Sequence, residues 1–379
     1  MEYRTPGQLI EHLLEERGWS KRALAIILEM GETSVSKLIS GQTKITAKIA
    51  IALEEIFSVE ASRFLELQQQ YDLAKARIEE RPSANRANRA RIYGDLPVSK
   101  MIERGWIAAD NMQDTQNVEI GICRFFNVNR LEDAEILPHA AKKTRTSVLD
   151  TNPAQMAWLY RVKAIAAGML VGRYSPEAVE AAISKIVPLR GHPENMARVP
   201  RILAEAGIRF VIVEGLPSAK IDGVCFWLNE KSPVIGMTLR FDRIDNFLFV
   251  LRHELEHVRN RDGLDGEAIL DIDIGGTARV GLKSSIERQE AIADAAAANF
   301  CIPSEMMDAF IRRKSPFFSD RDLVGFARVM NVHPGLVAGQ LQRHTGDYHK
   351  FRKHLATVRE FVIPSADVDG FGDVYPIEQ

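Results

Sequence analysis

The stretch IDNFLFVLRHELEHVRN, residues 244–260, decides how the rest of the chain is read. Its first half is too apolar for an exposed surface helix, so the helix it predicts is substantially buried. Its second half sets His253 and His257 four residues apart with Glu254 between them. On a helix, positions i and i+4 share a face one turn apart, so both imidazoles can reach one ion. Glu254 then borders the open side of that ion, where it can take a proton from bound water. Burying two imidazoles and two carboxylates without partners is costly, and a cation at their centre relieves the cost.

Downstream, a polar insert, RDGLDGEAILDIDIGG (261–276), leads into a second helix, SSIERQEAIADAAAANFCI (284–302), ended by Pro303. Glu290 on that helix is the expected third ligand, and Asp294, one turn on, an acceptor for a ligand imidazole. A fourth position is left for water, the layout of a catalytic zinc site. Glu287 is the rival third ligand, with Asp271 and Asp273 as weaker ones. Zinc is preferred on ligand type. Upstream, IRFVIVEG, DGVCFWL and SPVIGMTL are short β-branched and aromatic runs cut by Gly, Pro and Asp, and they predict a small sheet. Residues 98–200 read as helices without identifiable chemistry, and Met156, Trp158, Leu159 and Val162 fall at the spacing of a core stripe. Arg343, His344 and Tyr348 are polar candidates for an oxyanion donor, read more simply as surface residues of a helical end. The closing DVDGFGDVYPIEQ reads as a loosely ordered end.

The N-terminal part has a different texture. From Pro6 to Arg77 short helices follow one another, started by Pro6, Ser20 and Thr46 and broken at Gly18, Gly31 and Gly41. KRALAIILEM, Gly31 and ETSVSKLISG have the proportions of a helix-turn-helix. Ala25 is small where the two helices meet, and Leu28, Val35 and Leu38 supply apolar contacts. Thr33, Ser34, Ser36 and Lys37 are left on the outer face, able to reach base edges and phosphates in a major groove. The stretch EERPSANRANRARIYGDLP reads as a linker whose Arg81, Arg86, Arg89 and Arg91, with Arg77 just before it, can add phosphate contacts.

Two family resemblances rest on these residues. Around RHELEH and EAIADAAAANFCIP the chain resembles the ImmA/IrrE metallopeptidases, with Glu290, Ala293, Asp294 and Pro303 on family positions. It departs where the family has Gly (here Glu256) and Phe (here Ala296). Glu256 is expected to add a carboxylate beside the site, and Ala296 to leave core volume for another side chain to fill. The resemblance implies a zinc-dependent endopeptidase of zincin-like fold acting on a protein, often a repressor in a stress, phage or mobile-element regulon. From Thr5 to Arg77 the chain resembles the XRE-type domain of HigA antitoxins, through its GW-S, S-x-L-I-x-G and LQ-x-x-YDL pieces. That implies a homodimer on palindromic double-stranded operator DNA and a possible cognate toxin as partner. The alternative is a non-proteolytic HigA-like antitoxin and autorepressor whose zinc fold only senses or binds a partner.

Composition sets the outer limits. At 379 residues, 46% hydrophobic and 26% charged, the chain is long enough for several domains of about 100–200 residues and is neither disordered nor fibrous. No run of about 18 apolar residues suggests a membrane span, and the first residues lack a secretory layout, so a cytoplasmic protein is expected. Cys123, Cys225 and Cys301 are too few and scattered for a disulfide framework. The formal charge is −2, and 14 Lys+Arg face 13 Asp+Glu through Arg91. DNA binding must then rest on local charge placement, with weak non-specific affinity. The expected architecture is α+β and predominantly helical. It comprises a five-helix DNA-binding domain (1–78), a linker (79–97), a helical middle (98–200), a metallopeptidase domain with a small sheet and the HExxH helix (201–362), and a tail (363–379).

Overall fold

The computed structural model describes residues 3–79, 89–90, 92–94, 96–131, 153–217, 219–264, 269–272 and 285–377, with side chains for all but 269–272 and 285–287. The chain divides into two compact units, Met1–Arg89 and Ala90–Gln379.

The first unit is all helix: α1 (Pro6–Arg17), α2 (Lys21–Ile27), α3 (Glu32–Ile39), α4 (Ala47–Phe57) and α5 (Ala61–Glu79). Short polar side chains start three of them. Thr5 accepts from Gln8 N, Ser20 from Ala23 N and Thr46 from Ile49 N, each satisfying an amide that the helix leaves open. Gly18, at φ +63, closes α1 in the left-handed conformation that glycine adopts without strain. The apolar faces of the five helices meet in one core of Ile10, Leu24, Val35, Leu53, Phe64 and Leu67, all nearly inaccessible. Gly7 is where α1 meets α3: a Cβ there would stand 1.9 Å from Ile39 O, so the backbones touch.

The second unit is built on a five-stranded sheet in the order β4-β2-β3-β1-β5. Its strands are β1 (Arg209–Val213), β2 (Ile221–Trp227), β3 (Pro233–Met237), β4 (Ile269–Ile272) and β5 (Asp367–Asp369). β1 runs parallel to β3 and β5, whereas β2 is antiparallel to β3 and β4. β2 and β3 are buried at every position, the mark of a sheet covered on both faces. Alternate residues face different layers. Phe210, Ile212, Cys225, Ile235 and Met237 share one core with α11 (Ile244–Asn260) and the C-terminal helices. Val211, Val213, Val224, Phe226 and Val234 share the other with α6 (Val98–Glu103), α7 (Thr115–Phe125) and α8 (Pro153–Gly168). Trp158 of α8, fully buried, donates Nε1–H to Val213 O at 2.9 Å. Burying a ring of that size contributes about 3 kcal/mol. It packs over Gly236, where an added Cβ would lie 2.8 Å from Val162 and 3.2 Å from Trp158.

The layer beneath α11 is filled by α9 (Pro176–Ile186), α10 (Val199–Glu205), α12 (Ser285–Cys301), α13 (Ser304–Lys314), α14 (Asp320–Met330), α15 (Pro334–Thr345) and α16 (Arg359–Val362). No helix among the described residues is long and apolar enough to cross a membrane.

Two expectations about organisation are corrected. Residues 98–200 are not a separate middle: α6, α7 and α8 cover the second face of the sheet, and the helices from Pro176 onward pack on the first with α11. Nor is the described part of 363–379, residues 363–377, a loose tail. Val211, Ile212 and Val213 pair with Asp367, Val368 and Asp369, which makes β5 an edge of the sheet. Asp369, fully buried, accepts from Arg161 Nε at 2.7 Å and from Trp106 Nε1 at 2.8 Å, and also pairs with Arg161 Nη2. Arg161 in turn donates to Tyr375 O at 2.8 Å. The expected linker 79–97 is shortened as well, because Ile92 is buried in the second core. Residues 80–88, 91 and 95, with Arg81, Arg86 and Arg91 among them, lie outside the described residues.

Candidate functional site

The buried face of α11 carries the cluster that its sequence foreshadows. His253, Glu254 and His257 are 1%, 0% and 0% exposed, and Glu290 arrives from α12 at 6%. The two imidazoles face one another with their Nε2 atoms 3.1 Å apart. Glu290 closes the third side, with Oε2 3.5 Å from His253 Nε2 and Oε1 3.7 Å from His257 Nε2. One donor atom from each of these three residues lies within 4.8 Å of the others.

The outer nitrogens decide what those donors can do. His257 Nδ1 lies 3.0 Å from Asp262 Oδ2, and His253 Nδ1 lies 3.0 Å from Asp294 Oδ1 through a bent contact. A carboxylate only accepts, so a proton held on Nδ1 toward it would leave the Nε2 lone pair of that ring free to ligate an ion. Two lone pairs and a carboxylate then converge in a buried space, an arrangement that repels itself unless a cation or an extra proton enters. The donor set, two imidazole nitrogens and a carboxylate oxygen with carboxylates behind both rings, fits a divalent metal such as zinc.

Asp262 was not singled out by the sequence. It lies just past the end of α11, where Arg261 at φ +60 turns the chain back and Asp262 N donates to His257 O at 2.9 Å. Its carboxylate also accepts from Gln289 Nε2 at 2.7 Å, and its carbonyl from Trp227 Nε1 at 2.9 Å. An Asp five residues after the second His was the available signal, but only the turn at Arg261 brings it back to the ring.

Glu254 packs against the backbone of β2: a Cβ added to Gly223 would stand 2.1 Å from its Oε1. Gly223 is therefore the residue that lets the sheet approach this carboxylate. Glu256 does not crowd the site as expected. It points to the neighbouring helix surface, where Arg252 pairs with it at 2.7 Å and Arg259 at 3.5 Å, through the i,i+4 and i,i+3 geometry of α11. Ala296 is half-buried. Arg343 stacks on Phe249, its guanidinium carbon 4.0 Å from the ring centre, and His344 and Tyr348 are exposed. The side chains of Glu287, Asp271 and Asp273 lie outside the described residues.

In the first unit, Gly31 starts α3 and the helix turns Val35, Leu38 and Ile39 into the core. Thr33, Ser34, Ser36 and Lys37 are all exposed on the opposite side, and Glu32 sits in the first turn. Ala25 of α2 is buried as the helix pair requires, and Leu28 is half-buried. α2 and α3 thus form a packed pair that presents four short or basic side chains on one exposed face, suited to a groove of duplex DNA.

Comparison with known proteins bears on this unit. The helix-turn-helix family model matches residues 10–64. The chain is also 31% identical over 71 residues to the uncharacterized HTH-type transcriptional regulator YddM of Escherichia coli (strain K12), an alignment covering 19% of this chain and 76% of that protein. The packing of α2 on α3, the exposed face of α3 and these two matches agree: the chain belongs, through its N-terminal unit, to the XRE-type helix-turn-helix transcriptional regulators.

Proposed function

We propose that this chain is a DNA-binding transcriptional regulator whose second unit is a zinc-dependent endopeptidase of zincin-like build, acting on a repressor or partner protein. The observation that carries the reading is the convergence of His253 Nε2, His257 Nε2 and Glu290 with carboxylates behind both rings. When bound there, a divalent ion would polarise a peptide carbonyl and lower the pKa of water to about 7. The residues do the rest. His253, His257 and Glu290 hold the ion, while Asp262 and Asp294 fix which imidazole nitrogen faces it. Glu254, buried beside them, takes the proton of the attacking water and passes it to the amine nitrogen as the peptide bond breaks. The helix-turn-helix delivers this activity to an operator, as a homodimer on a palindrome. The test is co-expression with neighbouring gene products: cleavage of one of them by the wild type and not by Glu254→Gln supports the reading. Unchanged regulation with operator binding intact would favour the non-proteolytic, antitoxin-like alternative.

Gly223→Ala tests the positioning of Glu254. The added methyl group competes with the carboxylate oxygen and with Val250, 2.9 Å away, so overpacking is expected to cost about 1–3 kcal/mol. Turnover is expected to fall about 100-fold, since a small misplacement of a reacting group costs that much, while bound metal stays constant. An unaltered rate in a metal-loaded variant would show that Gly223 does not set the position of Glu254.

On the first unit, Lys37→Ala is expected to weaken binding to all duplexes alike and to lower the salt slope by about one. Ser34→Ala is expected to cost about 1–3 kcal/mol on the preferred site only. Anisotropy titrations at two salt concentrations, on a duplex selected by the wild-type chain from a random pool and on a scrambled one, separate the two effects.

A further inference from the structure

The sheet edge nearest Glu254 is already taken. β4 lies antiparallel on β2, with Cys225, Val224 and Gly223 in register with Ile269, Leu270 and Asp271. The backbone of residue 271 therefore lies across from Gly223, where β2 comes up against the Glu254 carboxylate. Any strand laid along this edge passes beside the proposed general base.

β4 comes from the segment that joins α11 to α12 and pairs along β2. Its ladder is irregular: after Gly223–Asp271 the register shifts, and Ile221 pairs with Ile272. Asp222 thus stands out of the ladder, its side chain 3.1 Å from Arg240. Such bulges bend a strand and weaken pairing locally, and they gather beside active sites. A four-residue strand held by a broken ladder can be exchanged for another of the same direction, because the sheet edge offers the same row of backbone donors and acceptors to any extended segment.

We propose that residues 269–272 are an intramolecular stand-in for the substrate: an extended segment of the target protein docks antiparallel on β2 only when β4 leaves. The proposal rests on the peptidase reading of the cluster and adds its regulation, a centre closed in the resting chain and opened by competition for the β2 edge.

The test uses the full chain with chelator present, so that neither metal nor turnover enters. The probe is a fluorescein-labelled peptide of the chain's own residues 267–275, EAILDIDIG. In the double variant Leu270→Pro/Asp271→Pro, one of two consecutive amides that alternate across the strand is the one facing β2, so β4 loses a ladder donor whichever it is. A slot open a tenth of the time or less binds correspondingly more weakly than a free one. The variant is therefore expected to bind the peptide about tenfold more tightly than the wild type, and the peptide to slow amide exchange in residues 221–227. Equal or weaker affinity in the variant overturns the proposal. Loss of the fold on freeing β4 overturns it too, because a strand that must leave to admit substrate cannot be one the fold depends on. A failed metal assay with tight peptide binding would sink the peptidase reading and leave strand docking standing, and the reverse pair of results would do the opposite.

Discussion

Asp369→Ala is expected to destabilise the second unit by about 3–5 kcal/mol, because it strands a buried cation. Arg161 and Asp369 have side chains 6% and 0% exposed, and Trp106 Nε1 donates to the same carboxylate. Removing the carboxylate leaves the guanidinium and the indole N–H without that acceptor in a space water does not reach, and the desolvation cost of both is then unmet. It also frees β5 from its anchor, since Asp369 Oδ2 accepts from Tyr375 N at 3.2 Å and Arg161 holds Tyr375 O. Urea unfolding followed by tryptophan fluorescence measures the loss as a lowered midpoint at similar slope. Removing both charges, as Arg161→Met/Asp369→Leu, is expected to recover most of it, since a buried pair replaced by apolar residues of similar size costs little. A single-variant loss below about 1 kcal/mol would mean that the pair is not holding the C-terminal strand.

Glu254→Gln is expected to lower peptide hydrolysis about 10²–10⁴-fold with metal content unchanged. The amide is nearly isosteric with the carboxylate, so its contact with Gly223 survives, but it cannot accept the proton of the attacking water. Because Glu254 is not one of the three converging ligands, its loss separates chemistry from binding. The matching His257→Ala removes the ligand that Asp262 orients, and it is expected to lose metal and activity together. Rates on a cleaved partner, set beside metal content for the same preparations, check both. Retained hydrolysis in Glu254→Gln would remove this residue from the reaction.

What could be read in the sequence, and what could not, follows the range of each interaction. The caps of α1, α2 and α4 are three-residue events, so Thr5, Ser20 and Thr46 announce them directly. The buried and exposed sides of α3 follow from helical spacing, and so do the paired imidazoles of α11. Glu290 and Asp294 lie one turn apart on a recognisable helix, and the structure brings both to the imidazoles. Asp262 belongs to a turn, and a turn's return to the preceding helix depends on one left-handed residue, Arg261. The tail reads as loose because its anchor lies 208 residues away in Arg161, and β5 has only three residues on which to show alternation. The role of α6, α7 and α8 was present but indirect. Strands as apolar as FVIV and VCFW cannot face water on either side, so a second covering layer is required, and the helices that precede the sheet provide it.

Glu256 shows a different limit. Its proximity to the His pair in sequence suggested a carboxylate at the site, whereas the helix rotates it onto Arg252 and Arg259. Adjacent positions on a helix point about 100° apart, and neighbours at three and four residues decide where a charge goes.

On the proposed reading, the facing Nε2 atoms of His253 and His257 form a metal centre with Glu290. Cobalt(II) titration of the metal-stripped chain tests it directly, because a tetrahedral nitrogen and oxygen site gives visible absorption bands that saturate at stoichiometry. About one equivalent is expected for the wild type and for Glu254→Gln, displaced by zinc, and none for His257→Ala. A chain that stays folded by circular dichroism and takes up no divalent metal would rule out a metal centre at these residues.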